Sequence, residues 1–443
     1  MWSSVGPGKL KQQIRQFDWG FIRGSTLLSV GTALGRLLAM AFWLILARVF
    51  VPADYGAVQY AITIGGLIAV ATQPFGQYVL TRYIGRFRED PEQLRIVLTN
   101  GLVFLAVLTL ASLVLAIPIL AAVKQLTLEV LLLFAGLTLY YSYWGLASGF
   151  VTSGRLTAVY VGSNLLQLIA VFVLFQFSAA RTPALAVAIY ALSYVPVIVA
   201  LQARWPLPLV LKRSDLRLDV IGEMARFAWP IWVSHVSFML YTAIPLLLLE
   251  YHSLLHDLGV FSLASTLTAA FTIINFSIAT LFLPRIAHAP VAQRRSLLLR
   301  TLAVVALLNG IMFGGYFLVV RWVVIGLFGA AYAGEMGTYV FLALATIAGG
   351  IQLLITAALI GSGKVWLEAW GRMAQCLVVG VAAWLLIPQH AAFGAAIATL
   401  AGALVALAIY GLIGILQRPE PAEVYAEGGR NEESRGAGLF SSQ

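Results

Sequence analysis

Twelve runs of about 20 mostly apolar residues recur along this chain, separated by turns that are mostly short. A helix of that length rises about 30 Å, enough to cross the hydrocarbon core of a bilayer. The runs begin near Gly24, Ala57, Arg95, Glu129, Thr157, Pro183, Phe227, Leu258, Leu297, Thr338, Val365 and Ala391. Composition agrees: 61% of the residues are hydrophobic and 10% charged, with a mean hydropathy of +0.91. A soluble domain is typically about 45–50% apolar. The expected fold is an all-α integral membrane protein of about 12 transmembrane helices.

The runs fall into two sets of six. From Leu46 the chain reads LARVFVPADYGAVQYAITIGGLIAVATQPFGQYVLTRYIGR, in which an apolar helix ends, a short polar turn reverses the chain, and a second helix returns to a basic cluster. From Leu247 the pattern recurs, and Gly56 to Arg82 spans 26 positions, as does Gly259 to Arg285. The offset is 203 residues; the turns Ser153-Gly154-Arg155 and Ser362-Gly363-Lys364 echo each other at an offset of 209. Six is an even number, so both halves enter the membrane in the same sense. Two parallel six-helix repeats around a central cavity are the expected arrangement.

A formal charge of +10 raises the question of nucleic acid, and the placement of the charges answers it. Counted from a cytoplasmic N-terminus, the inner segments carry 22 of the 28 Lys and Arg residues. The outer segments carry 4 (Arg48, Lys124, Arg181 and Arg321), and 2, Arg36 and Arg372, lie within helices. Cytoplasmic loops collect Lys and Arg, so both termini are expected in the cytoplasm and the basic excess at the anionic membrane surface, with no nucleic-acid face.

Residues 1–23 read as a basic cytoplasmic lead-in, interrupted by too many charges for a cleaved signal. Residues 24–203 form the first six-helix bundle and 227–416 the second. The segment 204–226, with Pro206, Pro208 and five basic residues, is the cytoplasmic linker and expected hinge. Residues 417–443, rich in Glu, Gly and Ser, read as a disordered cytoplasmic tail. The single cysteine, Cys376, rules out an intrachain disulfide and a Cys metal cluster. No metal site and no cofactor are expected.

No outer loop has room for a catalytic domain, and Asp54 and Asp257 stand without a paired carboxylate, so an enzyme is disfavoured. Gly361-Ser362-Gly363-Lys364 lacks the following Ser or Thr, the earlier Gly and a preceding strand that a phosphate loop needs. Transport would then draw on an ion gradient, the cargo's own gradient or a separate subunit.

Arg36 lies about 18 Å into the first run, near the bilayer midplane. A central Arg is costly in lipid, so it faces a wet path or a partner, and its planar fork suits phosphate oxygens. The alternative is a structural Arg held by backbone carbonyls. Arg372 has Glu368 four residues earlier on the same helix face, so it either contacts cargo or closes a local ion pair. His235 is a proton-linked switch or a hydrogen-bonded packing residue.

Gln73-Pro74-Phe75-Gly76-Gln77 interrupts the second run, and Asn275-Phe276-Ser277 occupies the matching place in the eighth. These read either as cavity polar groups, with Gln73 and Asn275 foremost, or as a kink closed by interhelical bonds. Arg82 and Arg285 end those runs at the inner surface, to gather an anionic head group or simply to follow the charge rule. Tyr140, Tyr141, Tyr143 and Trp144 crowd the fourth run, for sugar stacking, a lipid groove or packing. Gly31-xxx-Gly35 and Gly145-xxx-Gly149 read as close helix contacts.

With LARVFVPADYG, the return helix ending LTRYIGR, the SGR turn and the twelve-span layout in view, the chain resembles the polysaccharide-exporter family. These are the Wzx-type polysaccharide and O-antigen flippases of the multidrug/oligosaccharidyl-lipid/polysaccharide transporter superfamily. The resemblance covers roughly residues 20–416. It implies a V-shaped pair of six-helix bundles in the bacterial inner membrane. By alternating access the pair would move a polyprenyl-diphosphate-linked oligosaccharide to the outer leaflet for surface polysaccharide or lipopolysaccharide assembly. Membrane lipids would be partners, and a polysaccharide polymerase or assembly machinery a candidate one. Arg36 matches that family's basic residues in the first helix. Two relatives are weighed against it. Multidrug antiporters typically use buried acids for cation coupling, and the scarcity here of acids well inside apolar runs, Glu368 being one at an edge, weakens that reading; lipid II flippases commonly carry two further helices, which this chain lacks.

Overall fold

The computed structural model of the protein describes residues 19–122, 127–150, 153–177, 181–207, 211–288, 291–361 and 365–416. Among the described residues there are helices and no strands. The first half contains α1 (Trp19–Val49), α2 (Pro52–Ala69), α3 (Leu80–Phe87), α4 (Pro91–Ala122), α5 (Leu128–Gly149), α6 (Ser153–Leu174), α7 (Pro183–Leu192) and α8 (Tyr194–Arg204). The second contains α9 (Leu218–Tyr251), α10 (Leu255–His288), α11 (Val291–Val323), α12 (Met336–Gly361) and α13 (Val365–Leu416).

Among the described residues, ten helical segments are long and apolar enough to cross a membrane, and the chain is a multi-pass membrane protein. Leu115, Phe172, Leu318 and Trp322 are exposed on their outer faces, where they meet lipid, while small and polar side chains such as Ala47, Asn100, Ser163 and Gln352 are buried between helices. Local chemistry sets the starts of the helices. Pro52 and Pro183 occupy first-turn positions where no N–H is needed. The Asp90 carboxylate accepts from the Glu92 and Gln93 amides, and Thr127 and Thr182 cap α5 and α7.

The twelve expected starts all fall within or at the edges of these helices, but one run takes another form. The second is broken: after Ala69 the chain leaves the helix, passes Gln73 and Pro74, and makes a π-helical turn over Phe75–Val79 before α3. The eleventh and twelfth, together α13, are two helices that meet at a kink at Ala391, whose backbone lies at φ 46° and ψ −126°. Tyr410 packs on Gly371 and Val379 on Gly402, so its arms run antiparallel. The polar stretch at Asn275 does not interrupt α10. It contains no Pro, Ser277 bonds back to the Ile273 carbonyl (2.8 Å), and Asn275 exchanges amide bonds with Asn309 of α11 (2.7 and 3.3 Å).

Both small-residue pairs are close helix contacts. Gly31 and Gly35 admit Thr157 and Tyr160 of α6, and Gly145 and Gly149 of α5 admit Gly76 and Ile84. The two halves meet through α1 and α2 on one side and α9 and α10 on the other. At one end the contact is reciprocal. A side chain at Gly56 would collide with the Leu255 carbonyl, and one at Gly259 with the Pro52 carbonyl; Gly259 and Leu255 stand 203 residues after Gly56 and Pro52. The Tyr55 hydroxyl bonds Thr266 there (3.0 Å), and Tyr332 donates to the Phe50 carbonyl (3.0 Å).

At the opposite, basic end, α9 begins at Leu218, nine residues before its apolar run, so the connection between halves is shorter than the expected linker. It is docked on α4. Asn100 donates to the Asp215 carbonyl (2.8 Å) and accepts from the Arg217 amide (2.7 Å), the Lys212 amide donates to Thr99 (3.3 Å), and Arg95 pairs with Asp215. The basic lead-in up to residue 18, the tail 417–443 and the turn 362–364 lie outside the described residues.

Three outcomes test this packing. Gly56→Val and Gly259→Val each destabilise the protein by about 1–3 kcal/mol through overpacking, read as a lower Tm in detergent, whereas Gly66→Ala, with nothing within 4 Å, does not. Ala391→Gly raises stability by about 1 kcal/mol by removing a strained positive φ. The Arg95 hydrogen bond holds the Asp215 carboxyl below the usual carboxylate range. That contribution is therefore present above the range and lost as pH falls through the lowered value. Amide exchange over 211–217 speeds up on such acidification, and Asp215→Asn brings the faster exchange to neutral pH.

Candidate functional site

Three arginines singled out in the sequence each lie against a phenylalanine of the second half. The Arg36 guanidinium of α1 stands 3.9 Å from the centre of the Phe276 ring of α10. Arg82 of α3 stands 4.1 Å from the Phe227 ring, and Arg372 of α13 stands 5.1 Å from the Phe238 ring, both on α9. An aromatic face carries partial negative charge and attracts a cation without neutralising it.

Arg36 is half-buried in the middle of α1. Its Nε is shielded and has no hydrogen-bond partner, and the guanidinium lies within reach of the Tyr160 hydroxyl, with Tyr140 nearby. Among the described residues no carboxylate forms an ion pair with it. Around it α5, α6, α7 and α8 contribute a set of touching rings. Tyr140 packs on Tyr141, Trp144 and Tyr194 (5.2, 5.9 and 4.8 Å between centres), Trp144 on Tyr160 (6.1 Å), and Tyr190 on Tyr194 (5.9 Å). The aromatic run of the fourth span is thus packed on itself and, through Trp144, on Tyr160, the phenol within reach of this arginine.

Arg372 has a different environment. Its Nε donates to Glu368 at 3.0 Å and a terminal nitrogen to Gln375 at 3.4 Å. Ser234 of α9 donates to the other Glu368 oxygen, and Gln352 of α12 donates to Gln375 at 2.9 Å. Tyr410 donates to the Glu368 carbonyl (3.0 Å). The residue beside Ser234, His235, has a buried Nε2 without a partner and places its ring 6.3 Å from Tyr78, in the π-helical turn of the first half. His235, Glu368 and Arg372 are therefore brought together.

The other expected residues are dispersed. Gln73 is buried at the break after α2. Arg82 is exposed at the basic end, next to Tyr83, whose hydroxyl donates to Glu223 of α9 (3.1 Å). Asn275 is buried against Asn309 and Gly350, with its amide engaged between helices. Arg285 lies in α10, and its side chain is outside the described ones. Phe276, Tyr160, Ser234 and Gln352 were not foreseen. Ser234 beside His235 in an apolar run was the one available signal, since partners across helices leave no local spacing. Among the described residues no group of three His, Cys, Asp or Glu side chains is placed to hold a metal ion.

Solved structures of similar fold are membrane transporters. The lipid II flippase MurJ in an inward closed conformation superposes with a TM-score of 0.72 at 13% identity, over 88% of each chain. An outward-facing multidrug resistance MATE family transporter gives 0.63 at 15% identity, over 89% of this chain and 95% of that one. A variant of the Vibrio cholerae MATE transporter VcmN gives 0.59 at 15% identity, over 89% and 97%. At such identities the likeness shows the fold. No curated protein gives a significant sequence match. The profile of the polysaccharide biosynthesis protein family matches residues 21–290, more than half of the chain, and the chain belongs to that family.

Proposed function

We propose that this protein is a flippase that carries a polyprenyl-diphosphate-linked oligosaccharide from the cytoplasmic to the outer leaflet of a bacterial inner membrane by alternating access. The observation that carries this reading is Arg36, a cation midway along a membrane crossing, held by a ring and a phenol, with no carboxylate partner among the described residues. Such a group needs an anion or water, and its fork matches diphosphate oxygens. Membership in a polysaccharide biosynthesis family and a fold shared with the lipid II flippase MurJ support the same reading.

On this reading the ten apolar segments, the broken crossing from α2 to α3 and the second arm of α13 make twelve crossings in two parallel repeats. The reciprocal Gly56 and Gly259 contacts support that relation. The basic end, with Arg82, Arg285 and both termini, faces the cytoplasm, and the glycine contact closes the outer side. Arg36 takes the diphosphate, Arg82 and Arg285 gather it at the inner mouth, and Gln73, His235, Asn275 and Arg372 belong to the path between the halves. The prenyl chain stays in lipid, among the membrane lipids that are the protein's standing partners. A polysaccharide polymerase or assembly machinery receives the cargo.

Two measurements test this. Cells lacking the protein accumulate the lipid-linked glycan on the cytoplasmic leaflet, scored with an impermeant glycan-modifying probe, and lose surface polysaccharide. An unchanged pool with altered drug sensitivity would instead establish a cation-coupled multidrug antiporter. Arg36→Ala lowers export about 30-fold or more, matching the loss of about 2 kcal/mol for an unpaired charge contact, while Arg36→Lys retains part of it. Full export by both variants would remove Arg36 from the path.

A further inference from the structure

The segment that joins the two halves carries leucines where a turn facing water would carry polar groups. Leu211, Leu216 and Leu218 are all exposed, and Leu218 is 81% exposed. Lys212, Arg213 and Arg217 alternate with them. Among the described residues no carboxylate forms an ion pair with any of these three cations; Asp215, the acid between them, is buried and taken by Arg95 of α4. The surface of this segment is therefore apolar and positive at once, with its one central acid turned inward.

The docking on α4 fixes how deep the segment sits. α4 turns apolar at Ile96, and Asn100, which bonds the Asp215 carbonyl and the Arg217 amide, follows one turn, about 6 Å, later. The Lys212 amide reaches Thr99 of the same turn. Met224, almost two turns into α9, lies beside Gly101. Residues 212–224 thus cross α4 at one level instead of running on past it into water, and that level is where the hydrocarbon begins. Trp205, at the end of α8, is exposed at the same end of the molecule with Arg204 5.9 Å from its ring, an arrangement typical of a membrane interface. Leucines exposed at this depth meet the acyl boundary, while the long Lys and Arg stems lift their charges to the head groups.

We propose that residues 211–218 are a membrane-surface strap that binds anionic phospholipid of the leaflet at the basic end, the leucines entering the acyl boundary and Lys212, Arg213 and Arg217 holding the head-group phosphates. A free anion in solution would engage the cations and leave the leucines in water; a phospholipid satisfies both. The bound lipid keeps the strap on α4. It thereby ties the start of α9 to the first half, where Tyr83 also donates to Glu223 (3.1 Å). None of this depends on which cargo crosses.

The test uses the full-length protein in nanodiscs of phosphatidylcholine, with or without about 30% phosphatidylglycerol. Leu218→Cys in a Cys376→Ser background is labelled with bimane, and part of the phosphatidylcholine carries a shallow doxyl quencher. With phosphatidylglycerol present, quenching of the bimane rises, and in the unlabelled protein amide exchange over 211–217 slows by about tenfold. Lys212→Gln, Arg213→Gln and Arg217→Gln combined lose both effects, although the Arg217 amide that bonds Asn100 is kept. Lys212→Arg, Arg213→Lys and Arg217→Lys combined retain them, which separates lost charge from lost folding. Inorganic phosphate added to phosphatidylcholine discs does not reproduce the slowing. The proposal is overturned by a bimane that stays unquenched in both discs, by equal exchange in both, by a glutamine variant that responds like the parent, by loss of the response in the charge-preserving variant, or by slowing with inorganic phosphate alone.

Discussion

Hydrocarbon offers no partner for a peptide N–H or C=O, and the rest of this structure follows from how the chain meets that constraint. Helices meet it wherever the sequence is regular. At residues 70–72 the helix is interrupted, because Pro74 supplies no N–H, and the break is tolerated only where protein covers it. Gly145 of α5 lets the backbone at Gly76 approach, Thr72 donates to the Ala69 carbonyl (3.0 Å), and Thr81 donates to the carbonyls of Gln77 and Gly145 (2.6 and 3.2 Å). The same logic places the fold-back of α13 at Ala391, near the end of two long apolar arms.

Once the backbone is satisfied, the charged groups decide where the halves interact. Arg36 and Arg82 of the first half both stack on rings of the second, so two contacts between halves are cation–π contacts, which hold a charge in place without cancelling it. Arg372 is closed off by Glu368, Ser234 and Gln375 within its own half. One arginine thus has no carboxylate partner among the described residues and the other is compensated internally.

The contact at the far end is of another kind. Gly56 and Gly259 bring backbone against backbone, and a tyrosine from each half bonds across it, Tyr55 to Thr266 and Tyr332 to the Phe50 carbonyl. Close backbone packing of this type is sensitive to a single methyl group, whereas the stacked arginines tolerate sliding.

The membrane class, the positions of the apolar helices, the close contacts at the Gly31 and Gly145 pairs and the Glu368–Arg372 pair were legible in the sequence. Each depends on hydrophobic length or on neighbours within one helix, and such signals are local. Asn275 was legible as an intramembrane polar residue, but its partner Asn309, 34 residues away, was not. Nor were Phe276 beneath Arg36, Ser234 on Glu368, or the docking of the linker through Asn100. By itself the sequence determined which segments enter the bilayer, because transfer free energy depends on composition alone. Only the tertiary structure decided which buried charge is compensated and which is left open, because that depends on side chains from other helices arriving within a few ångströms.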